Sequence, residues 1–532
     1  MPDEAGLATA RAPRALRWAY AATALLLLVP VWAVERVPTI DGGCHLYNAF
    51  VLRHLHDPAY PLFARTFRLS LEPVPNWLIQ ALLLPLVSVL SLPLAEKVLL
   101  TLYVALFAVA AWALAGCDDE ARAPWAFLAL PFAWSLLTHY GFYNFVVSVP
   151  LALLAVALWW RWRDGLLDAR APIPRLRWRR VLALEAVLVV TYFAHLVSLA
   201  MALGAIGVLW LLDLGQARWS GTALRRWLLH PLLLLPQLVL PAWYLRTHAS
   251  TPLPNDWSMA DRLRYLGELQ ALFAFRKFER LGAMRLEGSN VPGTVLALSL
   301  LALAIATLVR ERPRTPRRHA FLVLAAICVL VYLAAPGGVG LGVVMQPRLS
   351  LFPALFLLAG LSPRIGRRTQ ATAGALAVLF VGWEMLELTR WHRDVARQVD
   401  AYLAGMAPLP ENVRVLPLVW DRFRSLDDST LGHASGYVLA PKGDLDWDDY
   451  QANTDLFPVR FQPGLRPPDN IEVGIDDYRV GDHAPIVDYL YAWDLSPQSP
   501  VRARLRRFYR PVSPVGSGRI WMRRADVPVS LR

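Results

Sequence analysis

Apolar runs of about 17–20 residues recur over roughly the first 390 positions of this chain, and that is the length a helix needs to cross the hydrocarbon core of a bilayer. No water is present there to satisfy peptide groups, so spanning segments are helices or closed barrels, and unbroken runs of this length select helices. Composition agrees. Of 532 residues 56% are hydrophobic and 21 are Trp, while only 18% are charged, against roughly 25% in soluble domains. The net charge of +13 is therefore read as a marker of topology, not as a nucleic-acid footprint. Only Lys97, Lys277 and Lys442 of the 54 basic residues are Lys, a bias expected of a GC-rich bacterial genome.

The first run, Leu16 to Val34, follows Arg11, Arg14 and Arg17. It is too long for a signal-peptide core and no Ala-x-Ala site follows it, which predicts a retained span with a cytoplasmic N-terminus. Later spans are expected near 97–115, 125–137, 144–160, 181–195, 196–213, 228–245, 291–309, 320–335, 349–362 and 371–388. Arginine clusters mark cytoplasmic loops: seven lie in 161–180, five in 310–318, and smaller groups at Arg218, Arg225 and Arg226 and at Arg364, Arg367 and Arg368. The run at 76–92 is interrupted by Pro85 and bounded by Pro93. Reading it as re-entrant or interfacial gives eleven spans and a consistent topology; the competing arrangement reverses residues 116–160. Loop 35–75, the turn 138–144, Tyr192 to His195, loop 246–290, residues 342–348 and everything after about Leu388 then share the non-cytoplasmic face of a bacterial inner (plasma) membrane.

From residue 389 the apolar runs shorten, and acids and bases balance at 19 each. Short strands are expected in Val413 to Trp420, Ser435 to Ala440, Ala484 to Trp493 and Gly518 to Arg524. The expected fold class is an all-α polytopic membrane bundle (residues 1–388) with a small α/β or α+β soluble C-terminal domain (residues 389–532). The chain shows no internal repeat and no phosphate-cradling glycine loop. Cys44, Cys117 and Cys328 have no metal-ligand spacing and are too few for a disulfide framework.

Polar chemistry gathers at "TIDGGCHLYNAF", just where the first span ends. A helix from about Gly43 would place Asp41 at its start, with His45 four residues on and on the same side. The bland reading is that Asp41 N-caps this helix and that His45, Tyr47 and Asn48 are interfacial. Four further stretches reach the same face. Glu72 lies ahead of Pro73; His139, Tyr143 and Asn144 sit on a short turn; His195 lies between two spans; and Arg348 is the lone strong charge of its loop, with a fork that matches phosphate oxygens. Each has a structural alternative: solvation for Glu72, aromatic anchoring for the turn, packing for His195, headgroup snorkelling for Arg348. Arg276 and Lys277 fit headgroup contacts better than a site. Asp444, Asp446, Asp448 and Asp449 lack calcium-loop spacing.

Position favours the sharper reading. An acid early in the first outer loop, followed by a surface helix, resembles the C-type glycosyltransferase (GT-C) superfamily of integral membrane enzymes. "LSLEPVPNWLIQALL" (69–83) resembles its Glu/Pro-rich stretch. "HYGFYNFVVSVPLALLAVALWWR" (139–161) and "YFAHLVSLAMAL" (192–203) are similar to segments of uncharacterised bacterial GT-C-like proteins. "QPRLSLFPALFLLAG" (346–360) places Arg348 where the superfamily often holds a phosphate, and "HASGYVLA" and "DYLYAW" resemble that group's outer C-terminal domain. The resemblance covers most of the chain in layout, not as a strict signature. It departs in offering one first-loop Asp instead of an acidic pair, and in showing no sequon-reading motif, which leaves the acceptor open.

The resemblance implies a lipid-linked sugar as donor, with transfer on the non-cytoplasmic face. Asp41 would be catalytic, with His45, Asn48, Glu72, His139, Asn144, His195 and Arg348 as substrate-binding candidates. The partners implied are a polyprenyl-phosphate sugar, an unidentified acceptor (glycan, lipid or protein) and membrane lipids, with no nucleic acid. No cofactor is required, and nothing in the sequence calls for the divalent cation such enzymes can use. Two rivals are a transporter or flippase, which favours related halves around a midplane site, and a non-enzymatic scaffold with an outer binding domain.

Overall fold

The computed structural model describes residues 13–168, 175–214, 221–248, 252–272, 289–311, 319–339, 342–420, 425–467, 479–515, 518–527 and 529. Arg276, Lys277 and most of the arginine cluster at 310–318 lie outside these residues. The chain is a multi-pass membrane protein: seven described helices are long and apolar enough to cross a bilayer. They are Arg14–Trp32, Leu92–Ala115, Tyr143–Trp162, Leu196–Leu214, Leu228–Thr247, Val291–Arg310 and Arg367–Ala404. The other four expected spans form shorter elements, at Glu120–Ala133, Trp178–Ala194, Ala320–Ala334 and Leu351–Gly360.

The first of these corrects the expectation of an α-helix. Glu120–Ala133 is a 3-10 helix of 14 residues, with Pro124 and Pro131 inside it. Each proline removes an amide donor and clashes with the preceding turn of an α-helix. At ~2.0 Å per residue the 3-10 form extends ~28 Å, close to the bilayer core, with fewer residues than an α-helix needs. Nearly all of it is buried, which is where irregular backbone is tolerated at membrane depth.

Leu78–Val87 is a helix of 10 residues containing Pro85, too short to cross at 1.5 Å per residue. It lies against the first-loop helix Gly42–Arg53. The last long helix does not stop near Leu388: Arg367–Ala404 is continuous over 38 residues. Tyr491 donates to the Tyr402 carbonyl near its far end, so the helix itself carries the C-terminal sheet.

That sheet has five strands in the order Tyr509–Val515, Gly518–Arg523, Tyr489–Trp493, Arg414–Val419, Leu445–Asp446. The last three pair in parallel, and the hairpin Tyr509–Arg523 adds antiparallel strands on one side. The opposite edge, Leu445–Asp446, faces the loop after the first span, where the Tyr47 hydroxyl donates to the Asp444 carbonyl and accepts from the Asp446 amide. A second seam is the antiparallel pairing of Phe67–Leu69 with Val459–Phe461. Tail and first loop thus form one packed unit, and the polar cluster lies inside it.

Candidate active site between the first loop and the tail

The chain leaves the first span and turns at Ile40 and Asp41, whose amides donate to the carbonyls of His139 and Tyr140 at 3.0 Å each. This backbone clamp fixes where Asp41 emerges. Asp41 stands at the N-cap of Gly42–Arg53, yet its carboxylate makes no capping hydrogen bond. It turns to the tail: the Tyr450 hydroxyl donates to Oδ2 at 2.8 Å, and His433 Nε2 lies 3.7 Å from Oδ1. Asp41 is 6% exposed. Capping does not account for this residue.

The two glycines after Asp41 are there because both sides are occupied. A Cβ on Gly42 would lie 2.3 Å from Glu96 Oε1, and one on Gly43 would lie 2.2 Å from the His433 carbonyl oxygen. The helix start is thereby pressed between a membrane helix and the tail. Glu96, fully buried in the first turns of Leu92–Ala115, accepts from Tyr143 at 2.5 Å and from Tyr437 of the tail. Thr39 Oγ1 shares a hydrogen bond with Tyr143 at 2.9 Å. Four stretches of chain therefore meet on one carboxylate.

His45 bridges three elements. Its Nδ1 lies 3.4 Å from Gln80 Nε2 and 3.2 Å from Gln451 Nε2, and the ring also bonds the Gly141 backbone. It stacks on Tyr143 at 5.4 Å. Burial pushes the imidazole down to about 3, so it is neutral at physiological pH and holds the site in shape. Asn48 donates to Asp449 Oδ1 at 3.0 Å, and Cys44 donates to the same oxygen at 3.2 Å. Burial, foremost, pushes the Asp449 carboxyl up.

Arg348 and His195 both lie against Phe145. Arg348 is 8% exposed, and its guanidinium lies 5.1 Å and 5.5 Å from the ring centroids of Phe142 and Phe145. Among the described residues it has no ion pair, and its Nε has no hydrogen-bond partner. Its charge interacts with both Tyr450 and His195. His195 meets Phe145 edge-on at 5.1 Å and accepts from the Val197 amide. A buried cation over two aromatic faces, with no carboxylate paired to it among the described residues, has the chemistry to accept an anion.

The remaining candidates lie outside this cluster. Glu72 pairs with Arg460 at 2.8 Å and is half exposed, beside the seam that joins loop and tail. His139 lies among Trp134, Trp391 and His392, and Asn144 Oδ1 accepts from the Ile79 amide in the first turn of Leu78–Val87. These partners are architectural. The tail aspartates are likewise engaged: Asp446 accepts from Ser435 and from the Asp448 amide. Among the described residues no three His, Cys, Asp or Glu side chains are gathered to hold a metal.

Glu96, Tyr437, Tyr450, Gln451 and His433 were not singled out from the sequence. For Glu96 a signal existed, since a carboxylate inside a spanning helix is a functional candidate by default.

No protein-family model matches the chain, and no curated protein gives a significant match. Among solved structures, ArnT from Cupriavidus metallidurans in the apo state superposes with a TM-score of 0.54 at 13% identity, over 97% of this chain and 100% of ArnT. The fold is therefore similar to that of ArnT. ArnT bound to undecaprenyl phosphate gives 0.49 at 13% identity, over 98% of this chain and 100% of ArnT. Arabinofuranosyltransferase AftD from Mycobacteria gives 0.47 at 16% identity, over 98% of this chain and 40% of AftD. Identities this low speak for the fold alone, so the chemistry rests on the residues.

Removing the Glu96 carboxylate is expected to undo the junction. Glu96→Leu leaves two buried tyrosine hydroxyls without their acceptor, at roughly 1–3 kcal/mol each. The buried Cys44, packed under the tail at Asp449, should then react readily with a maleimide in the folded protein. Glu96→Gln, which keeps one acceptor oxygen, should fall between the two. A Glu96→Leu protein as stable and as unreactive as wild type would show that the carboxylate is not the clasp.

Proposed function

We propose that this protein is a membrane glycosyltransferase that moves a sugar from a polyprenyl-phosphate donor to an acceptor hydroxyl. The observation that carries the reading is the Asp41 carboxylate, turned away from its helix amides and toward Tyr450 and His433; the buried Arg348, over Phe142 and Phe145, is the candidate phosphate ligand. Asp41 takes the proton of the acceptor hydroxyl as that oxygen attacks the anomeric carbon. The bond from the anomeric carbon to the phosphate oxygen breaks, and the guanidinium of Arg348 receives the charge that develops on the leaving phosphate. A single displacement inverts the anomeric configuration. His45, neutral and triply held, keeps Gln80 and Gln451 in place and moves no proton. Asn48 anchors the tail, and the nearby Glu72, His139 and Asn144 support the frame.

The site is proposed to open on the non-cytoplasmic side of a bacterial inner membrane. The N-terminus would then be cytoplasmic and the domain 389–532 extracytoplasmic. The lipid tail of the donor would lie among the spans, which puts its phosphate at the level of Arg348. The test is incubation of the reconstituted protein with a panel of polyprenyl-phosphate pentoses and hexoses and an envelope fraction. Release of free polyprenyl phosphate with an inverted product supports the reading; a retained configuration contradicts it.

A further inference from the structure

Tyr450 is the one member of the cluster around Asp41 that is only partly buried; Asp41, His45, His433 and Gln451 are all covered. Its phenol donates to Asp41 Oδ2 at 2.8 Å and accepts from Gln451 Nε2 at 3.3 Å. Its ring rests against His433 at 4.9 Å and Phe457 at 6.2 Å, and the charge of Arg348 acts on it. The hydroxyl makes the bond to Asp41 that an attacking acceptor hydroxyl would make. Burial and the Asp41 charge keep the phenol protonated, so it is a donor to the carboxylate and does not compete as a base.

We propose that Tyr450 holds the place of the acceptor hydroxyl and, by occupying Asp41, keeps water from being activated against the donor until the acceptor displaces it. The proposal rests on the glycosyltransferase reading and adds to it a residue that sets transfer against hydrolysis. The reaction suppressed is balanced and needs no other reagent. Water oxygen attacks the anomeric carbon, its proton passes to Asp41, the bond to the phosphate oxygen breaks, and free sugar and polyprenyl phosphate leave. A site holding a base and an activated glycosyl group has to exclude water by some means, and here the means is the side chain that occupies the base.

The substitution Tyr450→Phe keeps the ring on His433 and Phe457 and removes only the hydroxyl. With a polyprenyl-phosphate sugar that wild type transfers to an envelope fraction, and with no acceptor added, free-sugar release by Tyr450→Phe should rise at least tenfold over wild type. Thermal stability should stay near wild type, and Tyr450→Phe combined with Asp41→Asn should return to background. A merely structural tyrosine would lower transfer and leave the ratio of hydrolysis to transfer unchanged. Wild type that transfers, with Tyr450→Phe no more hydrolytic than it, overturns this proposal and spares the transferase reading. Wild type that neither binds polyprenyl phosphate nor consumes any donor of the panel overturns both.

Discussion

Asp41→Asn is expected to lower sugar transfer by ~10²–10⁴-fold, the range over which a positioned general base contributes, while leaving the fold in place. The asparagine carbonyl still accepts the Tyr450 hydroxyl that Asp41 Oδ2 accepts at 2.8 Å, so the tail stays docked. The backbone clamp through His139 and Tyr140 does not involve the side chain at all. Melting temperature and Cys44 protection should therefore match wild type as activity disappears. A scaffold protein would hardly notice the change. Loss of activity accompanied by unfolding would place Asp41 in the architecture and not in the chemistry.

Arg348→Met is expected to produce the opposite pairing of effects. Removing the guanidinium withdraws stabilisation from the leaving phosphate, and comparable single donors are worth ~10²–10³ in turnover. Yet the wild-type side chain is a buried cation without an ion pair among the described residues. Replacing it with an apolar group against Phe142 and Phe145 relieves an uncompensated burial. Activity should fall while thermal stability holds or rises. Arg348→Lys should recover little, because a point charge does not reproduce the planar fork. A stability loss as large as the activity loss would mean that Arg348 serves packing.

Run length and proline placement carried most of the membrane domain. The apolar runs fall on helices of the described residues, and Pro85 falls in a helix of only 10 residues. Periodicity did not foresee that Glu120–Ala133 would be a 3-10 helix, because the hydrophobic pattern of a fully buried segment is uniform and leaves only its prolines to speak. Nor did hydropathy show that Arg367–Ala404 continues past Leu388, since the helix loses its apolar lipid-facing surface before it loses its hydrogen bonding.

The site divides along a similar line. Asp41 was visible because polar residues gather just where the first span ends, in a layout that resembles a known superfamily, and Arg348 because it was the lone strong charge of its loop. Tyr450 and Gln451 were invisible: they reach Asp41 and His45 from more than 400 positions away, and nothing local in "DDYQAN" encodes that contact. The glycine pair Gly42–Gly43 was the nearest local sign, since two adjacent residues without side chains announce that other chain passes close by. The structure shows which chain: Glu96 on one side, His433 on the other.

The most direct test of the account is the structure of the protein bound to a polyprenyl phosphate. The phosphate should lie against Arg348, with an oxygen at the ~2.7–2.9 Å expected of a charge-assisted hydrogen bond to the guanidinium, its sugar-bearing oxygen toward Tyr450 and Asp41, and the lipid running down between the spans. A phosphate bound at the opposite membrane face, with Arg348 still lying over Phe142 and Phe145 and touching no part of it, would contradict the account.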